Sequence, residues 1–337
     1  MAACRTPYLL FVDQLPNSRI GAMQWQELVF IVVALSILGA CIGSFLNVVA
    51  YRLPRSMSLS RPPSQCPACG HAIRWSDNVP VLGWLRLRGR CRDCSAPIAA
   101  RYPMVEATTA LIVLIVGMLA LLSRGGSADT AWIARTACDA ALCLTLLSVA
   151  LIQWDGNYIP GRLLLPALVI GLVVPLVWPE SKPRLALTGM SEVRWGPRGA
   201  VVNATVLGAA YGLLVAALAQ WLRRSARGKP FGPPRSQPEQ TSRIEWYALP
   251  TLIGLFWGWP AVLVIIPVAV ALGALVPRAL RRAMPLGAAL LVVAMLYLAI
   301  ASAYEGFGSA SASQLSPRHD ALAVAIAADR SMGREQE

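Results

Sequence analysis

The chain has 337 residues, of which 56% are hydrophobic and only 14% charged, and its mean hydropathy is +0.55. Soluble domains carry about 25% charged residues, so the composition excludes an ordinary soluble enzyme and, just as firmly, a disordered chain. The net charge of +13, from 30 Lys plus Arg against 17 Asp plus Glu, marks in a membrane protein the loops that stay cytoplasmic rather than a nucleic-acid surface.

An N-terminal segment, 1–26, ends in polar residues (Gln24, Gln26), and Glu27 opens the first apolar run, 27–50. That run is long enough to cross the hydrocarbon core and to stay there as an anchor rather than be removed as a signal. A polar loop, 51–103, follows. Further apolar stretches cover 104–123, 131–153, 162–178 and 199–222. The next, 246–276, holds Gly258-Trp259-Pro260 near its middle and reads either as one tilted helix or as a tight hairpin of two. A last span covers 284–302, and a polar tail, 303–337, is rich in Ser and Ala from Gly306. The expected fold is an all-α polytopic membrane protein of about eight transmembrane helices. The span 27–50 stands before the loop 51–103, and the bundle 104–302 after it.

Charge sets the expected orientation. The loop 51–103 carries nine arginines (Arg52, Arg55, Arg61, Arg74, Arg86, Arg88, Arg90, Arg92 and Arg101) against Asp77 and Asp93 alone, which places it in the cytoplasm. The turn near 154–161 and the basic loop 223–245 then fall on the same side. Two helices in 246–276 would also bring Arg278, Arg281 and Arg282 inside, which favours eight spans with both termini outside. The 179–198 connection, with Lys182, Arg184, Arg194 and Arg198, runs against the rule.

Four of the eight cysteines form two Cys-x-x-Cys pairs, Cys66/Cys69 and Cys91/Cys94, separated by 21 residues. Two such knuckles present four thiolates to one tetrahedral Zn²⁺ and fold when the metal closes them. Two disulfides or free buried thiols are the other readings, and a reducing cytoplasm disfavours the disulfides. Gly70 suits the turn after the first knuckle, the nearby arginines favour thiolate, and His71 is superfluous to a four-cysteine shell. Cys41, Cys138 and Cys143 lie in spans and read as small apolar packing residues. Asp139, an acid inside a span, is a functional suspect by position, yet its i,i+4 spacing from Arg135 predicts a structural ion pair.

The segment Gly43-Ser44-Phe45-Leu46-Asn47-Val48-Val49, followed by Arg52-Leu53-Pro54, precedes the two knuckles. Further along come Asn78-Val79-Pro80, Gly89-Arg90-Cys91 and Arg101-Tyr102-Pro103 with Val105-Glu106. Together they closely resemble the type IV prepilin peptidases, membrane aspartic endopeptidases of the bacterial inner membrane. The resemblance implies cleavage of the basic leader of prepilins or pseudopilins at the cytoplasmic face. In many members it also implies N-methylation of the new terminus from S-adenosylmethionine. Expected partners are therefore prepilin or pseudopilin-like membrane substrates and the lipid bilayer, not nucleic acid.

The resemblance also implies two catalytic aspartates, one activating water and one, protonated, polarising the scissile carbonyl. In Ile152-Gln153-Trp154-Asp155-Gly156-Asn157-Tyr158-Ile159-Pro160, the first of these positions is Gln153, which can neither hold nor release the proton. Asp155 falls on the accessory acid. The second motif, Gly-x-Gly-Asp, is absent, and Glu245 in Ser242-Arg243-Ile244-Glu245-Trp246-Tyr247 is the acid about one residue from its place. Asp155 and Glu245 are thus either a displaced catalytic pair or a helix cap and a surface ion pair. A relative without hydrolysis, binding pilin-like helices as an assembly factor or acting as a methyltransferase only, is the alternative function. Glu106 opens the second span either as a substrate contact or as a helix N-terminal charge.

Overall fold

The first long helix, α1 (Trp25–Arg52), carries Glu27 in its first turn and Arg52 in its last, each opposite in sign to the helix-dipole end it occupies. In this computed structural model the described residues are 24–124, 126–182, 202, 204–218, 239–275, 287–303 and 305. Expectations that fall on 1–23, 183–200, 219–238, 276–286 and 306–337 lie outside them. After α1 the Arg52 guanidinium gathers the carbonyls of Ser58, Leu59 and Pro62 at 3.1, 3.4 and 2.8 Å, which turns the chain into the loop. The loop contains a short helix, α2 (Leu82–Arg86), and returns to the bundle at α3 (Arg101–Ser123).

Two glycines govern the crossing of α1 with α3. A Cβ on Gly39 would lie 2.7 Å from the Ala110 Cα, and one on Gly43 would lie 2.7 Å from the Glu106 Cα. Small residues four apart let two backbones touch, and in an apolar environment that close van der Waals packing is what holds helices together.

The central helix, α4 (Thr130–Trp154), starts on Asp129, whose carboxylate accepts the Trp132 N–H at 2.8 Å as an N-cap. It supplies Leu142, Leu146 and Ile152 to the core, where they meet Ile253, Trp257, Ile265 and Leu298 from later helices. It stops at Gly156, whose φ of +70° is the left-handed conformation. The Gly156 N–H reaches the Gln153 carbonyl at 3.0 Å and the Asn157 N–H the Ile152 carbonyl at 3.1 Å, the two bonds of a Schellman cap. Nothing lies within 4 Å of a Cβ placed at Gly156, so Gly156→Ala carries conformational strain alone. It should lower stability by about 1 kcal/mol in a detergent thermal melt.

The remaining apolar helices are α5 (Leu165–Val177), α6 (Ala204–Leu218), α7 (Glu239–Leu275) and α8 (Gly287–Ala303). α7 is broken at Gly258, with φ 77° and ψ 179°. A Cβ on Gly254 would sit 3.1 Å from Val262 Cγ2. Eight residues of straight helix rise about 12 Å, so this contact requires the chain to fold back at Gly258. The stretch is a tight helical hairpin, the two-helix form of the reading. Four helices, Trp25–Arg52, Arg101–Ser123, Thr130–Trp154 and Tyr247–Leu272, are long and apolar enough to cross a membrane, and three shorter apolar helices accompany them. With Tyr247–Leu272 divided at Gly258, the described residues hold eight apolar helical segments. There are no strands among the described residues, only two isolated bridges, both in the loop.

Candidate metal centre and acid sites

The two knuckles are built alike. In the first, the Gly70 N–H bonds to the Cys66 carbonyl at 2.9 Å, the Cys66 N–H to the His71 carbonyl at 2.9 Å, and Gln65 bridges Ala72. In the second, the Ser95 N–H bonds to the Cys91 carbonyl at 2.9 Å, the Cys91 N–H to the Ala96 carbonyl at 2.8 Å, and Arg90 bridges Pro97. The residue after each pair has positive φ, +74° at Gly70 and +59° at Ser95. This geometry turns both thiols of each pair toward one point.

The Sγ atoms of Cys66, Cys69, Cys91 and Cys94 all lie within 4.8 Å of one another, and Cys66 and Cys94 are 3.8 Å apart. A tetrahedral Zn²⁺ with Zn–S near 2.3 Å needs sulfurs about 3.8 Å apart, so the donor set fits such an ion. No disulfide joins these four cysteines. His71 contributes its backbone carbonyl and stands outside the ligand group, as expected. The Cys66 thiol is pulled down to about 6 chiefly by the backbone N–H groups of Cys69 and Ala68. The turn aims the knuckle's own amides at this sulfur, while Cys69 and Cys94, where burial and the neighbouring thiols push upward, are raised.

The ribbon is braced by one acid. Asp77, its side chain only 4% exposed, receives Arg92 in a bidentate pair (Nε to Oδ2 at 2.7 Å) and also Arg86. The Arg92 hydrogen bonds hold its carboxyl far below the usual carboxylate range, with Arg86 adding to the effect. A depressed native pKa means the clamp contributes fully above about pH 4 and is lost as the pH falls from there toward the native value. Peptic cleavage within 74–92 should therefore accelerate in wild type as the pH falls below about 4, and tryptic cleavage there should already be fast at neutral pH in Asp77→Asn.

Glu106 ties the ribbon to the bundle. It is buried beside Gly43, and its Oε2 accepts the Val81 N–H at 2.6 Å. Of the two readings of Glu106, neither describes this bond: the carboxylate is an anchor for the loop. Glu106→Ala removes the acceptor of a charge-assisted bond and should cost about 2 kcal/mol, read as earlier release of the loop in pulse proteolysis.

The candidate acids fare differently. Gln153 sits at the end of α4 with its Oε1 accepting the Gly287 N–H at 2.9 Å, which ties α4 to α8. Asp155 is the C-cap of α4, and its carboxylate meets Arg101 Nη1 at 2.6 Å. Glu245 lies in α7, and its side chain is outside the described residues. Asp139 pairs with Arg135 at 2.9 Å, as its spacing predicts. It also accepts the Trp257 indole N–H at 2.7 Å, while Arg135 reaches Glu305 at 3.3 Å. The sequence alone gave no sign of these two distant partners. Lys182, an exception to the charge rule, is buried and donates to the Leu255 carbonyl. Cys138 and Cys143 are buried as expected, but Cys41 is exposed on the surface of α1, which corrects its reading as a packing residue.

These features define a polytopic α-helical membrane protein with a four-cysteine ribbon whose donor set fits a metal ion. The profile described as "Bacterial Peptidase A24 N-terminal domain" matches residues 37–120. A "Prepilin leader peptidase/N-methyltransferase" of Burkholderia pseudomallei (strain 1026b) is 34% identical over 245 residues, covering 64% of this chain and 70% of that protein. The chain belongs to the prepilin leader peptidase/N-methyltransferase family. A Myxococcus xanthus protein of the same name is 39% identical over 157 residues, which cover 47% of this chain but only 44% of that protein. An Escherichia coli "Type 4 prepilin-like proteins leader peptide-processing enzyme" is 33% identical over 212 residues, covering 55% of this chain and 74% of that protein. No solved structure matches this chain.

Proposed function

We propose that this chain engages prepilin-like substrates in the bacterial inner membrane, with its zinc ribbon (51–103) on the cytoplasmic side and the bundle 104–302 receiving the substrate helix. On this reading it holds such helices without two-aspartate hydrolysis. The observation that carries it is Gln153: an amide occupies the first acid position, and its oxygen is committed to the Gly287 N–H at 2.9 Å. An amide does not ionise at neutral pH, and an oxygen already engaged by a backbone N–H is not poised to activate water. The relatives' names support the substrate class, and the four-cysteine set supports zinc as the metal. S-adenosylmethionine enters as methyl donor through those names alone, and no residue is assigned to it.

Leader cleavage by Asp155 and Glu245 is the second reading, favoured by the position of Asp155 at the end of α4, two residues beyond Gln153. Co-expression with a pilin-like substrate from the same genome, with its N-terminus read by mass spectrometry, separates the two. Untrimmed substrate that co-purifies with the protein supports the binding reading. Trimmed product that disappears with Asp155→Asn or Glu245→Gln overturns it in favour of the displaced pair.

A further inference from the structure

The ribbon carries an exposed apolar group that no described residue of the bundle covers. Trp75 is 88% exposed, Leu82 63% and Leu85 56%. Leu82 and Leu85 are three apart on α2 and share a face. The turn bearing Trp75 packs directly on α2, since a Cβ on Gly83 would lie 2.1 Å from the Asp77 carbonyl oxygen. The Asp77 clamp to Arg86 and Arg92 fixes the two pieces as one unit.

The height of this unit is set by Glu106. That residue lies five positions into α3, about 8 Å along the helix from Arg101. Its bond to the Val81 N–H holds the start of α2 at that level. The apolar run of α3 begins here, so α2 stands where hydrocarbon gives way to headgroups, the depth at which Trp and Leu side chains partition.

Charge supplies the second half of the argument. Both acids of the loop are occupied, Asp77 by Arg86 and Arg92, and Asp93 by Arg74. Arg101 is taken by Asp155, and Arg52 by backbone carbonyls. Arg88 and Arg90, just beyond α2 and exposed, meet no acid among the described residues. Exposed guanidinium groups beside exposed indole and leucine match the chemistry of an anionic bilayer surface.

We infer that the face formed by Trp75, Leu82 and Leu85, with Arg88 and Arg90, docks on the bilayer, the apolar side chains entering the interface and the arginines binding anionic phospholipid headgroups. The ribbon is then held by lipid on one side and by Glu106 on the other, independently of any substrate.

The full-length protein in micelles, titrated with phosphatidylglycerol and read by native mass spectrometry, tests this. Each of Arg88→Gln and Arg90→Gln should weaken the first bound lipid about fivefold. Phosphatidylcholine should bind equally to wild type and variants, and inorganic phosphate should not compete. In nanodiscs containing phosphatidylglycerol, amides of 82–86 should exchange more slowly than in phosphatidylcholine alone, and the double arginine variant should erase the difference. Equal lipid binding by wild type and variants, or protection of 82–86 that appears only on adding a prepilin, would overturn the inference. The latter outcome would assign the face to substrate.

Discussion

Cys69→Ser is expected to strip the metal from the full-length protein and to leave the loop between α1 and α3 open to trypsin. Wild type, purified without chelator, should carry about one zinc per chain by elemental analysis, in a closed four-thiolate shell. Serine keeps the side chain's size but offers a hard, protonated oxygen in place of a soft thiolate. Binding of about 10–16 kcal/mol is coupled to folding in small zinc domains, so losing one ligand removes most of what orders the knuckles. Besides the metal, the knuckles are held by the isolated bridges at Gln65 and Arg90 and by the exposed-side arginines paired with Asp77 and Asp93, with no apolar core of their own among the described residues except Cys66. The α1–α3 crossing should survive, because it depends on Gly39 and Gly43 and not on the metal. The variant should therefore insert and purify as a helical protein with a proteolysed loop. Full zinc occupancy in Cys69→Ser would refute the four-cysteine site.

Gly208→Ala is expected to lower stability by about 3 kcal/mol, the upper end for overpacking. The new Cβ would lie 2.1 Å from the Gly254 carbonyl oxygen and 2.9 Å from the Gly258 Cα. Both are backbone atoms in the hairpin, so no side chain can rotate away, and α6 must lift off α7. Gly161→Ala is the matched control: no atom stands within 4 Å of its Cβ, and the change should stay within about 0.5 kcal/mol. Thermal unfolding of the two variants in the same detergent, followed by circular dichroism, measures the difference. Equal melting temperatures would mean that α6 and the hairpin do not pack as described.

Much of the architecture was legible because hydrocarbon imposes a simple rule on sequence. A helix that must bury its backbone in lipid announces itself as a long apolar run, and the predicted spans 27–50, 104–123 and 131–153 fall within helices 25–52, 101–123 and 130–154. Cysteine spacing was equally direct, since two residues between thiols is the reach of one knuckle. The small-residue pairs Gly39/Gly43, Gly208/Gly212 and Gly254/Gly258 were also present as a signal. They mark where backbones meet, but not which helix each pair meets.

The sequence by itself determined the class of protein and the two paired-cysteine knuckles, because each depends on residue type at short, fixed spacing. Only the tertiary structure decided that Gly258 reverses the chain, that Glu106 anchors Val81, that Gln153 binds the Gly287 N–H of α8 and that Asp139 and Arg135 draw in Trp257 and Glu305. Those partners stand 25, 134, 118 and 170 residues apart along the chain. A buried polar group must find a partner, but which one it finds is set by helix packing that no local pattern encodes.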